Sequence, residues 1–156
     1  MKQHKIANWL KGIVISLAIL ISVFLIAVTI FAVLKTEMHP IGSIIGFPFF
    51  TWYTVAVCYA ILFQAWKVCI EIGKENSFSG ENASAFHKMS LIGILLAIGF
   101  STKFCLILFF GNLGFVYGLF IVFEVIVSII FIVLCEALSK LILHAYEIRQ
   151  ENELTI

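Results

Sequence analysis

Two unbroken apolar runs constrain this chain more than anything else in it. Residues 12–34 are 23 consecutive positions without a charge, and residues 41–66 are 26. About 20 apolar residues carry a helix across the hydrocarbon of a bilayer. A third apolar stretch, residues 89–135, holds only two charges, Lys103 and Glu124, and is too long for one crossing. It breaks at Gly111-Asn112-Leu113-Gly114, a run that reads as a tight turn. The reading is four spans, over residues 12–34, 47–69, 89–110 and 115–136. None of these runs alternates as the strands of a membrane barrel do. Composition agrees: 62% of the 156 residues are hydrophobic and 12% charged, whereas soluble domains average about 25% charged. The expected fold is an all-α, integral membrane four-helix bundle forming a single transmembrane domain.

The first run starts like a signal peptide, with Lys2, Lys5 and Lys11 ahead of it. Its apolar core is far longer than that of a signal peptide, and no small-residue cleavage site follows, so it is expected to be retained. Basic residues then set the orientation. Lys2, Lys5, Lys11, Lys67, Lys74, Lys88, Lys140 and Arg149 share one side; Lys35 alone lies opposite. The positive-inside rule makes that crowded side cytoplasmic, with both termini inside. Trp9 and Trp66 then fall at the inner interface and Trp52 and Tyr53 near the outer one, where amphipathic rings sit.

Little faces outside. One outer connection is the four-residue turn. The other, residues 35–46, carries Pro and Gly and is expected not to be helical. The cytoplasmic side is larger. Helix 2 is expected to run on past the bilayer, with Ala65, Val68, Cys69 and Ile72 at helical spacing. The 70–88 connection contains Asn76-Ser77-Phe78-Ser79-Gly80-Glu81-Asn82. Ser79 reads as an N-cap, and Glu81 complements the first turn of the helix that follows. Helix 4 also overshoots: from residue 115 to 146 it would measure about 48 Å against roughly 30 Å of hydrocarbon. Its end, in the 137–156 segment, carries a stripe of Leu138, Leu141, Ile142, Ala145 and Ile148, with Glu136 and Lys140 spaced for an i,i+4 pair. These pieces together suggest a small cytoplasmic platform.

Lys103 and Glu124 lie at nearly equal distances from the turn, so they are expected at the same depth in adjacent, antiparallel spans. An ionisable residue in a span costs about 2.5–3.5 kcal/mol on insertion scales and so needs a partner or a role. The favoured reading is a buried ion pair that sets the register of the hairpin. A proton or substrate site is the alternative, and snorkelling of Lys103 to the interface a third. Gly114-x-x-x-Gly118 opens the fourth span and lets helices approach closely, within the chain or between copies of it. Cys58, Cys69, Cys105 and Cys135 form no C-x-x-C pair and read as apolar filler. The four histidines have no metal-ligand spacing, and no nucleophile elbow, phosphate loop or dinucleotide glycine pattern occurs. Neither an enzyme nor a cofactor is expected. Net charge is near zero, and no basic block suggests direct binding of nucleic acid.

The order of four spans, the 76–82 connection and the ending Glu151-Asn152-Glu153-Leu154-Thr155-Ile156 resemble domain-of-unknown-function family 2975. Members are small four-helix inner-membrane proteins of bacteria, and their genes often neighbour a short helix-turn-helix regulator. The resemblance implies a membrane partner for a DNA-binding protein; it carries over no catalytic residue.

The resulting expectation is a membrane-bound interaction or regulatory protein in contact with the lipid bilayer and a cytoplasmic regulator. The candidate contacts are Phe78, Ser79, Glu81 and Asn82 in the connection and Leu154, Thr155 and Ile156 at the tail, where an apolar ending can tuck against the platform or join a partner's groove or sheet edge. The alternative is a small transporter, or a transporter accessory subunit, using Glu124 as a proton-coupled carboxylate. Lys103 argues against it, since an adjacent ammonium holds a carboxylate ionised.

Overall fold

In lipid the backbone has no water to bond to, so apolar runs of this length satisfy themselves as helix. The computed structural model describes residues 2–35, 42–74, 76–110 and 115–154. These form four helices: α1 (Lys2–Lys35), α2 (Gly42–Gly73), α3 (Gly80–Phe110) and α4 (Phe115–Leu154). All four are long and apolar enough to cross a membrane. Hydroxyls inside them bond back one turn, as Ser22 does to the Ala18 carbonyl and Ser128 to that of Glu124, both at 2.8 Å.

The helices pack as an antiparallel bundle in which each element lies against its chain neighbour. Among the described residues, close backbone approach joins α1 to α2, α2 to α3 and α3 to α4, and no other pair. The bundle is therefore open between α1 and α4. The α3–α4 seam is the tightest. Ala83, Ser90 and Gly93 on α3 are buried, as are Ile121, Ser128, Cys135 and Ser139 on α4. Small side chains on both helices let the backbones close in, and dispersion rather than water exclusion holds them there. Ser139 fastens the seam by donating to the Ala83 carbonyl at 2.7 Å.

Between α2 and α3 the contact is one large residue on one absent side chain. The Tyr53 ring lies on Gly99, and its hydroxyl donates to the Leu95 carbonyl at 2.6 Å. At the edge, α1 is held more lightly. Ala7 packs against Gly73, Lys11 lies over the Trp66 ring at 5.8 Å, and Tyr59 hydrogen-bonds Ser22 and donates to the Ala18 carbonyl at 3.1 Å. Large apolar side chains such as Phe24, Phe63, Phe123 and Val133 face outward, which suits a chain solvated by acyl tails.

Two expectations change. Residues 42–46 are helical, not part of a non-helical connection, so α2 starts five residues before the span read from sequence. Pro48 then sits inside α2 without an N–H to give. Membrane helices tolerate this because neighbouring groups re-satisfy the freed carbonyl. The segment linking α2 to α3 is also shorter than 70–88, since residues up to 73 and from 80 are helix. Helix α4 continues to Leu154, 40 residues in all, about 60 Å at 1.5 Å per residue. The tail is thus helical to Leu154. Thr155, Ile156, Gly114 and the 111–114 turn lie outside the described residues; Gly118 is buried.

Candidate functional site

The end of the bundle that carries the α2–α3 link concentrates the polar groups. Helix α2 stops at Gly73, where the Lys74 amide reaches the Ile70 and Glu71 carbonyls and the Asn76 amide also reaches the Glu71 carbonyl, at 3.1–3.2 Å. The chain then turns through 76–79, and α3 starts on Ser79. Its Oγ accepts from the Asn82 amide at 3.1 Å, and its carbonyl from the Ala83 amide at the same distance. This is the N-cap geometry that the sequence suggests. The Asn82 side chain reaches back across the link, donating to the carbonyls of Ser77 at 2.9 Å and Asn76 at 3.4 Å. Replacing Ser79 by Ala should lower stability by about 1 kcal/mol, the usual cost of losing such a cap. Thermal unfolding of the purified chain in detergent checks this, and an unchanged melting temperature would remove the hydroxyl from the account.

The four link residues singled out from sequence therefore divide. Asn82 is 1% exposed and Ser79 is also buried; the Ser79 hydroxyl and the Asn82 side-chain NH2 are engaged inside the link, so they shape it. Phe78, 56% exposed, and Glu81, also exposed, are the two that present themselves. Phe78 stands beside a hollow of about 300 Å³ that it lines with Asn76, Tyr146, Arg149 and Gln150. The link and the end of α4 thus share one surface. Gln150 donates to the Tyr146 hydroxyl at 2.7 Å, which steadies that side.

Ion pairs brace the same end. Lys74 donates to Glu71 at 2.6 Å. Lying past the end of the second span read from sequence, Glu71 is held below the usual carboxylate range by that hydrogen bond, against the opposing effect of its burial. Lys74 is raised in turn by the same bond. On the α3–α4 side, His87 Nδ1 lies 2.9 Å from Glu136 Oε2, and Lys140 Nζ lies 3.7 Å from Glu136 Oε1. The sequence reading foresaw Lys140 with Glu136 and missed His87. The signal was available: His87 and Glu136 stand nearly equally far from the 111–114 turn, as Lys103 and Glu124 do.

Deeper in the seam, Lys103 Nζ approaches Glu124 Oε2 at 3.4 Å, with the lysine side chain 14% and the carboxylate 39% exposed. Lys103 also lies over the Phe100 ring at 6.0 Å. The two charges lie close enough to neutralise one another inside apolar helices, and the carboxylate keeps an open side. Among the described residues no three His, Cys, Asp or Glu side chains converge as metal ligands.

Comparison with known proteins agrees with a membrane protein. The uncharacterized membrane protein YoaS of Bacillus subtilis (strain 168) is 26% identical over 147 residues, covering 88% of this chain and 92% of that protein. No solved structure matches the chain. Residues 47–156, from early α2 to the end, match the family described as protein of unknown function, DUF2975. This chain belongs to that family, as a multi-pass membrane protein built of four long apolar helices.

Proposed function

We propose that the chain is a membrane-bound interaction protein that binds, rather than chemically converts, a cytoplasmic partner at the α2–α3 link and the end of α4. One observation carries the reading. Phe78 is an exposed aromatic side chain on a link locked by the Ser79 and Asn82 hydrogen bonds. A rigid, exposed aromatic group beside a polar hollow is the kind of anchor that dominates protein contacts, because little conformational freedom is lost on binding. Eight of the ten basic residues lie on the side of this link, which supports a cytoplasmic position with both termini inside. By family resemblance the partner is a small helix-turn-helix regulator, held at the membrane until a signal reaches the bundle. Leu154, Thr155 and Ile156 are the tail contacts of this reading; Thr155 and Ile156 lie outside the described residues.

A photo-crosslinking residue at position 78, used in membranes of the native host, tests it. The expected product joins this chain to a soluble DNA-binding protein. Its yield should fall about tenfold, equivalent to roughly 1.4 kcal/mol, when the chain ends at Gln150. Products with lipid or with membrane proteins alone would overturn the docking role.

The transporter reading keeps one observation in its favour, the open side of Glu124 within a span. Intramembrane carboxylates of this kind mark proton paths in other proteins. The adjacent Lys103 weighs against it, and the paired replacement described in the Discussion separates the two.

A further inference from the structure

Helix α4 carries two seams, and the chain fills one of them. The filled seam faces α3. Ile121, Ser128 and Cys135, spaced seven residues apart, are buried there, as are Gly118 and Ser139. A second row lies one position round the helix, about 100° away. Phe120, Val127, Leu134, Leu141 and Ile148 recur along it at every seventh residue. Phe131, Leu138 and Ala145 stand four residues after Val127, Leu134 and Leu141 and complete an alternation of fours and threes. Apolar residues at that alternation over four heptads are the pattern of a helix that pairs with another helix.

A helix inside a closed bundle uses two such rows, one for each neighbour. Among the described residues α4 comes close to α3 alone and α1 to α2 alone, so the chain supplies α4 with one neighbour. The second row is accordingly open: Phe120, Val127, Leu134, Leu138, Leu141 and Ile148 are 42–66% exposed. Acyl tails cover the part of it inside the bilayer and not its end. Helix α4 has 40 residues, about 60 Å against roughly 30 Å of hydrocarbon. Leu138, Leu141 and Ile148 lie past the fourth span as read from sequence. There Ser139 bonds the Ala83 carbonyl, and the Tyr146 ring lies against Gly80. These contacts keep the end of α4 alongside α3, so it does not turn to lay its apolar row on the lipid surface. An apolar stripe exposed outside the bilayer marks an interaction surface.

The row itself selects the occupant. It starts at Phe120 within the span, where no soluble protein reaches, and ends at Ile148 beyond it. The occupant is therefore a helix that crosses the bilayer and overshoots it on the same side by a similar length. Helix α4 of a second copy meets that requirement. Two copies inserted in one orientation are related by a two-fold axis, which sets their α4 helices parallel and each residue of the row opposite its twin. The area suffices: the exposed part of these six side chains is roughly 550 Å² per copy, and two copies together pass the ~1,000 Å² expected of a specific interface. Glu124 stands on the same row, seven residues before Phe131, with its side chain 39% exposed. Each copy brings its own Lys103 at 3.4 Å from that carboxylate. Two neutralised pairs then meet, and the open side of each carboxylate faces protein, as intramembrane charges ordinarily do. We infer that two copies of the chain pair through this second row of α4, from Phe120 to Ile148. The inference goes beyond the docking surface at Phe78 and does not rest on it. Tyr146 and Arg149, beside that hollow, continue the α3-facing row, so the hollow stays accessible in the pair.

Single cysteines test the pairing, placed in a chain whose Cys58, Cys69, Cys105 and Cys135 are replaced by alanine and oxidised in membranes of the native host. Leu141→Cys and Ile148→Cys should join to their twins in high yield. Lys140→Cys and Glu147→Cys should give about tenfold less, because only positions on the row bring twin Cβ atoms within disulfide reach. A bond between one position and its own twin requires a second copy in parallel, so it also excludes α1 or another protein as the occupant. Equal yields at the four positions, or none at 141 and 148, overturn the inference. The chain with its cysteines intact supplies a second reading, its protein mass in detergent. The wild type should run as two copies, and the chain carrying both Leu141→Glu and Ile148→Glu, at exposed positions past the span, as one. A wild type that runs as one copy at every concentration overturns the pairing, and so does a mass of two copies that the double replacement leaves unchanged.

Discussion

Lys103→Met should destabilise the folded bundle by about 3 kcal/mol, the scale for orphaning one member of a buried ion pair. The substitution keeps the length and apolar stem of the side chain and removes only the ammonium that lies 3.4 Å from Glu124. The carboxylate then remains in a span without the ammonium that faced it, at the cost of an unpaired charge among apolar helices. Adding Glu124→Gln should recover most of the loss, because a neutral pair of similar volume carries no such penalty. The measurement is a double-mutant cycle on thermal unfolding in detergent, with a coupling of about 1–3 kcal/mol expected between contacting residues. Equal melting temperatures for the single and the double variant would show that the pair does not hold the hairpin. The cycle also separates the two functional readings. A structural pair leaves the double variant folded and still able to capture its partner at position 78. A proton-coupled carboxylate leaves it folded and without function in the host.

Gly99→Val is the second large effect, and its cause is steric. A Cβ at this position would meet three atoms of the Tyr53 ring, with Cδ1 at 3.1 Å, Cζ at 3.2 Å and Cε1 closer still. The ring cannot swing aside cheaply. It is fixed at the far end by the hydrogen bond from its hydroxyl to the Leu95 carbonyl. Overpacking of this kind costs about 1–3 kcal/mol, and the better helix propensity of Val over Gly returns only a few tenths. A net loss of about 2 kcal/mol is expected, read as a lower melting temperature. Tyr53→Ala should relieve part of it. Gly12→Ala is the control, since a Cβ there meets nothing within 4 Å; it should be neutral or stabilising by up to about 1 kcal/mol. If Gly99→Val melts like Gly12→Ala, the Tyr53 contact does not hold α2 to α3.

What the sequence made legible follows the reach of its rules. Long apolar runs, two of them without any charge, found all four helices because the bilayer demands them whatever the packing. Ser79 was legible as a cap because capping is local, needing only a hydroxyl three residues ahead of an amide. Lys103 and Glu124 were legible as neighbours because a tight turn sets the register of two antiparallel helices. The early start of α2 was missed because Gly42 and Gly46 were weighed as they act in water, where glycine weakens a helix interior. The burial of Asn82 was missed because a polar residue in a link reads as exposed; only the folded link shows its side chain bonded to Ser77 and Asn76.

The open arrangement also dictates an order of assembly. Helix α1 is made first, yet among the described residues it comes close to α2 alone. It therefore resides in the membrane as a solitary span until α2 follows it. That residence is feasible because residues 12–34 carry no charge that would demand company. Lys103 and Glu124 belong instead to the last hairpin, where each partner is delivered within 21 residues of the other. The chain thus places its self-sufficient helix ahead of its mutually dependent pair, and the short separation of that pair means that neither charge waits long in the bilayer without the other.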